Sequence, residues 1–297
     1  MSHYENLFTQ LDKLYRHCRQ GSFRTRTRYY EAMKRFCRFL VEEYHLERLA
    51  NLAPKHLFAY VAHLQNNHRA ASTIKTDLSA IRFFHDQTPN PRYQLSQNTE
   101  LQLERRRFGE VDHTWSETEF NCMLAYAMEA EREDYITLLY LARFLALRIH
   151  ECFRLDTATV RKALNETALT VKGKGGLVRT VPIPADFILQ HLQFHLEQTQ
   201  AGHKLFVPDD EPTHVAIKKI QTFIYLNRSR IYPDKPTRPI TFHGLRHNCA
   251  AEWYEQFRDE GANAIEARRK VSKLLGHGRD EVTKIYLASL KEENPHD

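Results

Sequence analysis

The sequence predicts a mainly helical protein with one small β-sheet, divided into two domains. Apolar residues recur at helical spacing through the first ninety residues and in most of the second half. A single pair of β-prone runs flanks a glycine-rich turn at 172–176. The length of 297 residues also exceeds what one hydrophobic core commonly serves, roughly 250 residues. With 42% hydrophobic and 27% charged residues, the chain can bury a core and is not disordered.

The elements follow in order. Leu7, Leu11 and Leu14 mark an opening helix. Tyr29, Phe36, Phe39 and Leu40 form the stripe of a second, and Leu57, Tyr60, Val61 and Leu64 that of a third. Pro54 suits the first turn of the third, where a missing N–H costs nothing. Ile74, Leu78, Ile81 and Phe84 make the fourth, with Ser72 expected as its N-cap and Thr88-Pro-Asn-Pro91 as its stop. Residues 1–95 are thus read as a helical domain, 96–114 as a basic linker containing Arg105, Arg106 and Arg107, and 115–297 as a second domain. Ser116-Glu-Thr-Glu119 is a capping box that opens the second domain with a helix. Ala168–Val171 and Leu177–Ile183 read as a hairpin around Lys172-Gly-Lys-Gly-Gly176. Helices are expected over Ala185–Thr199, His214–Ile231, His243–Arg258, Ala264–Leu275 and Asp280–Leu290.

Charge separates the two halves. Residues 1–110 hold 18 Lys and Arg against 11 Asp and Glu, whereas residues 111–297 hold 25 against 26. The net charge of +6 therefore originates in the N-terminal third, as expected of a module that binds a polyanion. Arg24, Arg26, Arg28, Lys75 and Arg82 lie on or beside its helices, and with Arg105–Arg107 they are the candidate phosphate contacts. The longest apolar stretch, Tyr135–Leu147, is interrupted by Arg143 and too short to span a bilayer. No secretory signal pattern is present, and five scattered cysteines without a C-x-x-C pair suit a reducing compartment. A soluble cytoplasmic protein without a membrane partner is expected.

Several chemistries are excluded first. Lys174 is followed by Gly175 and Gly176, so no nucleotide-binding P-loop exists, and there is no G-x-S-x-G elbow. His191/His195 and His243/His247 have the i, i+4 spacing of helical metal ligands but lack the accompanying glutamate of H-E-x-x-H. No metal site is expected. What remains is an ordered set: Arg148 and Glu151 in Leu147-Arg-Ile-His-Glu151, Lys174 at the hairpin tip, His243-Gly-Leu-Arg246-His247, and His277 followed by Tyr286. Singly, each has an ordinary structural explanation as a cap, a turn residue, a surface histidine or a core tyrosine.

Together they resemble the tyrosine recombinase, or phage integrase, family. "LRIHE" is similar to that family's first arginine box, and "VKGKGGLVRTVPIP" to its strand–G-K-G–strand segment. "FHGLRH" and "LLGH", with Thr283 and Tyr286 beyond, are similar to the second and third. The resemblance covers Trp115 to the end, and the N-terminal helices resemble, on a weaker pattern, the family's SAM-like core-binding domain. It implies a mixed α+β catalytic domain and transfer of a DNA phosphodiester to a tyrosine, without metal or nucleotide cofactor. In the implied roles, Tyr286 is the nucleophile and His243 manages its proton. Arg148 and Arg246 bind the phosphate oxygens, His277 donates to one of them, and Lys174 protonates the leaving 5′ oxygen; Glu151 and His247 orient these groups. Family membership also implies duplex recombination sites as partner and a tetramer on two duplexes, with a Holliday junction as intermediate. In a prokaryotic host that work lies at the nucleoid.

Two positions depart from the pattern: Gly244 stands where an acidic residue is common, and Ala146 where glycine is common. Only eleven residues follow Tyr286, which puts in question the family's exchange of a C-terminal helix between subunits. Three other functions fit parts of the sequence. A type IB topoisomerase-like nicking and rejoining enzyme would share the active site. A DNA-binding regulator with lost catalysis should lack at least one of the six residues, and a metallohydrolase should be sensitive to chelators.

Overall fold

The computed structural model describes residues 3–104, 111–173, 176–232, 239–276 and 283–290. The chain divides into two compact units, Met1–Arg107 and Phe108–Asp297.

The first unit contains α1 (His3–His17), α2 (Phe23–Tyr44), α3 (Pro54–Asn66) and α4 (Ala71–His85), with a 3-10 turn at Leu49–Asn51. Helix α2 begins where the Ser22 hydroxyl accepts the Thr25 N–H at 3.2 Å. It ends at left-handed His45, whose N–H and that of Leu46 turn back onto the Val41 and Leu40 carbonyls. The expected stripes face one core, in which Leu7, Leu11, Phe36, Leu40, Leu57, Leu78, Ile81 and Phe84 are fully buried. Buried Asp77 is satisfied there by Arg35 at 2.9 Å and the Tyr60 hydroxyl at 3.3 Å.

Two expectations change in this unit. Ser72 is not the N-cap of α4: Thr73 and Ile74 donate to the Ala70 carbonyl, so Ala70 is the cap and Ser72 lies in the first turn. Residues 96–104, read as linker, fold onto the helices. Leu95 and Leu101 enter the core, Lys75 Nζ donates to the Glu104 carbonyl at 2.7 Å, and Gln65 donates to that of Gln102 at 2.8 Å. Two leucines six residues apart were too sparse a signal to mark this segment as packed.

The second unit contains α5 (Glu117–Glu129), α6 (Glu133–Leu145), α7 (Ile149–Cys152), α8 (Thr157–Glu166), β1 (Ala168–Lys172), β2 (Val178–Pro182), α9 (Asp186–Gln198), α10 (Thr213–Ile231), α11 (Phe242–Asp259), α12 (Ala264–Leu275) and α13 (Thr283–Tyr286). The capping box forms as expected, with Ser116 N–H on Glu119 Oε2 at 2.7 Å and Glu119 N–H on Ser116 Oγ at 3.2 Å. Helix α6 is buried along most of its length and packs against α5, α9 and α11, which explains its almost continuous apolar sequence. The hairpin is antiparallel, with Ala168 opposite Pro182 and Lys172 opposite Val178. Leu169, Val171, Arg179 and Val181 are its buried residues, an alternation that puts one arginine among aliphatic side chains.

The last helix is shorter than expected. Within the described residues of 280–290 it covers only Thr283–Tyr286, because Leu287 and Leu290 donate to carbonyls three residues back and the chain coils into turns. Among the described residues, no helix is long and apolar enough to cross a membrane.

Candidate active site

Helix α6 stops at Ala146, a left-handed residue with φ 49°, and two residues later Arg148 caps α7. Glu151 lies in the first turn of α7, and the residue is only 1% exposed. Its oxygens accept the Arg148 backbone N–H at 2.8 Å and Arg148 Nη1 at 2.9 Å. Arg179, reaching in from β2, completes the shell with a bidentate pair at 2.7 and 2.8 Å. Burial alone would raise the Glu151 carboxyl, but the hydrogen bonds and charge of Arg179, then those of Arg148, hold it at about 2. A fixed anion therefore secures Arg148, whose own side chain stays 19% exposed.

Helix α11 supplies the next three groups. Arg246 is fully buried. One Nη donates to the Ala146 carbonyl and the other to that of Leu275, at the C-terminal ends of α6 and α12. Carbonyl-rich helix ends are the backbone environment that best accepts a desolvated cation. Burial, then the charge of Arg148, lower the Arg246 guanidinium to about 10, so it remains cationic at neutral pH.

Two imidazoles of the same helix flank Arg246 in sequence, His243 one turn before and His247 directly after. His243 Nε2 lies 3.1 Å from the Tyr286 hydroxyl, and the His247 ring stacks on the Tyr286 ring at 4.4 Å and 25°. The Arg246 guanidinium carbon is 5.5 Å from the same ring centre. One edge of His243 remains open to solvent. Desolvation on its protein side, then the charges of Arg246 and Arg148, still lower it to about 4. Buried His247 is lowered to about 3 by desolvation and then by His243. Both rings are neutral at pH 7, so each has one acceptor nitrogen.

The start of α11 is closed by the segment before α5. The Asn248 side chain pairs with both backbone groups of Trp115, at 2.8 and 2.7 Å, and the Trp115 indole N–H donates to the Thr241 carbonyl at 2.9 Å. Gly244 faces this segment. A Cβ there would overlap the His113 carbonyl and stand 2.7 Å from the indole nitrogen. That contact leaves no room for a side chain at this position.

The structure thus brings together Arg148, Glu151, His243, Arg246, His247 and Tyr286. Lys174, His277 and Arg105–Arg107 lie outside the described residues. Of the proposed phosphate contacts, Arg24 and Arg28 are exposed, and Arg28 also reaches the Thr76 hydroxyl at 3.4 Å. Half-buried Arg26 donates to the Cys18 carbonyl at 2.9 Å. The Arg82 guanidinium makes three bonds, two to the Ser96 carbonyl at 3.0 and 2.7 Å and one to Asn98 at 2.8 Å. Sequence reasoning missed Arg179, although a charged residue at a buried position of a strand was a usable signal. Among the described residues, no group of three or more His, Cys, Asp or Glu is placed to hold a metal ion.

A sequence profile of the phage integrase family matches residues 116–293, more than half of the chain. The chain belongs to the phage integrase family. A profile of the family's N-terminal SAM-like domain matches residues 9–87. Members of this tyrosine recombinase family are DNA strand-transferring enzymes, and the recombinase described here is one of them. It is 25% identical over 287 residues to tyrosine recombinase XerC of Pediococcus pentosaceus, covering 93% of this chain and 90% of the relative. Its fold is similar to that of lambda integrase(75–356) in a dimer bound to a COC′ core site, with TM-score 0.66, 17% identity and 97% of each chain covered. The Tn1549 transposon integrase in complex with a circular intermediate DNA gives 0.63, at 13% identity and 95% and 94% coverage. A lambda integrase tetramer bound to a Holliday junction also gives 0.63, at 16% identity and 97% and 79% coverage.

Proposed function

We propose that this recombinase exchanges strands between specific DNA sites through a 3′-phosphotyrosyl bond to Tyr286. The observation that carries the assignment is the Tyr286 hydroxyl 3.1 Å from His243 Nε2, on an imidazole kept neutral by its surroundings. A phenol attacks poorly until its proton is accepted and its oxygen is aimed. His243 accepts that proton as Tyr286 Oη bonds to phosphorus. Stacking on His247 and the guanidinium of Arg246 limit how the ring can turn.

The diester gains negative charge as the fifth oxygen approaches, and fixed cations stabilise that charge better than they stabilise the ground state. Arg148 and Arg246 supply them, the first secured by Glu151 and Arg179, the second by main-chain carbonyls. As the bond to the 5′ oxygen breaks, Lys174 delivers the proton this oxygen needs, and His277 hydrogen-bonds a phosphate oxygen. The phosphotyrosyl bond retains the energy of the diester, so a 5′-hydroxyl from a second duplex reverses the step and reseals the strand.

Two duplexes require four protomers, and the lambda integrase tetramer on a Holliday junction is the related assembly that supports this arrangement. The basic N-terminal unit supplies phosphate contacts, with Arg24, Arg28 and Arg105–Arg107 as its contributors.

Tyr286→Phe tests the assignment, because it removes one oxygen and leaves packing volume nearly unchanged. The variant should bind duplex normally and form no denaturation-resistant adduct on a suicide substrate; an adduct would place the nucleophile elsewhere. Lys174→Ala should slow cleavage of ordinary DNA far more than cleavage of a 5′-bridging phosphorothiolate, whose leaving group needs no proton. Equal defects would remove Lys174 from the role of acid.

A further inference from the structure

We propose that His113 is a positioning residue for the nucleophile, acting through the imidazole of His247. The inference rests on the assignment of Tyr286 as nucleophile. Three rings stand in succession: His113 meets His247 edge-on at 5.3 Å and 70°, and His247 stacks on Tyr286 at 4.4 Å and 25°. His243 closes the group, 5.4 Å from His247 and 5.5 Å from Tyr286 between ring centres.

An exposed histidine ordinarily wanders, but the main chain around this one is fixed on three sides. Thr114 folds back onto Asp112, its N–H and hydroxyl both on Oδ1, at 2.8 and 2.7 Å. Trp115 is clasped by Asn248 and Thr241. Beneath the His113 carbonyl lies Gly244, where any side chain would lift the segment away. Asn248, Gly244 and Thr241 belong to α11 or its N-cap, the helix that also carries His243, Arg246 and His247. The segment and the reactive histidines therefore share one frame.

His247 bears on one edge of the Tyr286 ring's freedom, and His113 bears on that of His247. Remove the edge contact and His247 gains room to rock, and the phenolic oxygen spends less time aligned with phosphorus. Small losses of alignment reduce the rate of attack without weakening substrate binding. An aromatic edge contact of this kind corresponds to roughly 3- to 10-fold in rate.

Single-turnover adduct formation on a suicide duplex at saturating DNA measures the effect, with DNA affinity and thermal unfolding followed separately. His113→Ala should slow adduct formation about 3- to 10-fold and leave DNA affinity unchanged, with the variant still fully folded at the assay temperature. His113→Phe, which restores a ring edge without an imidazole nitrogen, should return the rate to within about twofold of wild type. A wild-type rate for His113→Ala overturns the proposal. So does a phenylalanine variant as slow as the alanine one, which would make the imidazole a polar contact to DNA. Tyr286→Phe is run alongside: an adduct there refutes the nucleophile and this inference together. An inert Tyr286→Phe with an unaffected His113→Ala refutes this inference alone.

Discussion

Replacing Arg179 by methionine should destabilise the catalytic unit by about 3 kcal/mol at neutral pH, and two independent routes give that magnitude. Glu151 accepts four hydrogen bonds, two of them from Arg179, on a buried carboxylate. Leaving one partner of a buried pair uncompensated costs about 3–5 kcal/mol. Alternatively, Arg179 first and Arg148 second hold Glu151 at about 2 against an ordinary 4.5. Restoring the ordinary value forfeits about 3 kcal/mol at pH 7, at about 1.36 kcal/mol per pH unit. The sign follows from the depressed value: this contribution is present above pH 4.5 and is lost as pH falls through about 2. The gap between wild type and Arg179→Met should therefore close in acid. Urea denaturation read by tryptophan fluorescence isolates the right unit, since both tryptophans, Trp115 and Trp253, lie in it. With an m-value of roughly 2 kcal/mol/M, the midpoint should fall by about 1.5 M. The double variant Arg179→Met with Glu151→Gln should recover part of the loss, because the stranded charge is gone. A midpoint unmoved by Arg179→Met, or a double variant no better than the single one, would refute the reasoning.

Further outcomes are expected. Adduct formation should stay level as pH falls from 7 to about 5 and decline toward 4, because His243 must be neutral to accept a proton and its folded pKa is about 4; a limb centred near 6.5 contradicts this. Stability carries the same sign, since both active-site histidines are depressed from 6.5 and disfavour folding once the unfolded chain protonates below that pH. Gly244→Ala should cost about 1–3 kcal/mol and red-shift the fluorescence of Trp115, whose indole the new methyl displaces; unchanged emission is the adverse result. Arg24→Ala should reduce the salt slope of DNA binding by about one contact. Arg82→Ala should instead speed hydrogen exchange over residues 95–104, which its three bonds tether; a reduced salt slope with unchanged exchange would reverse those roles.

What the sequence disclosed was mostly local. Helical stripes, the Ser116–Glu119 box and the hairpin each need only a few neighbouring residues, and all three formed as expected. Arg148 with Glu151, and His243 with Arg246 and His247, were legible because each group lies within five consecutive residues. Arg179 was not, since its partner Glu151 is 28 residues away and only the strand register turns it inward. The Asn248–Trp115 clasp spans 133 residues, so neither the need for Gly244 nor the place of His113 had a local signature. Residues 96–104 failed for a related reason: their packing depends on Arg82, Lys75 and Gln65 reaching across from other helices.

The anchorage of Arg246 has an evolutionary corollary. Two of its nitrogens are registered to the path of the chain, at the Ala146 and Leu275 carbonyls. Substitutions along α6 and α12 that preserve backbone and volume can accumulate without moving that cation. A single inserted or deleted residue near either helix end rotates a carbonyl away and displaces it. Relatives of this chain should therefore drift freely in composition along those helices while keeping the lengths of their last turns, and indels should gather in the loops farther off.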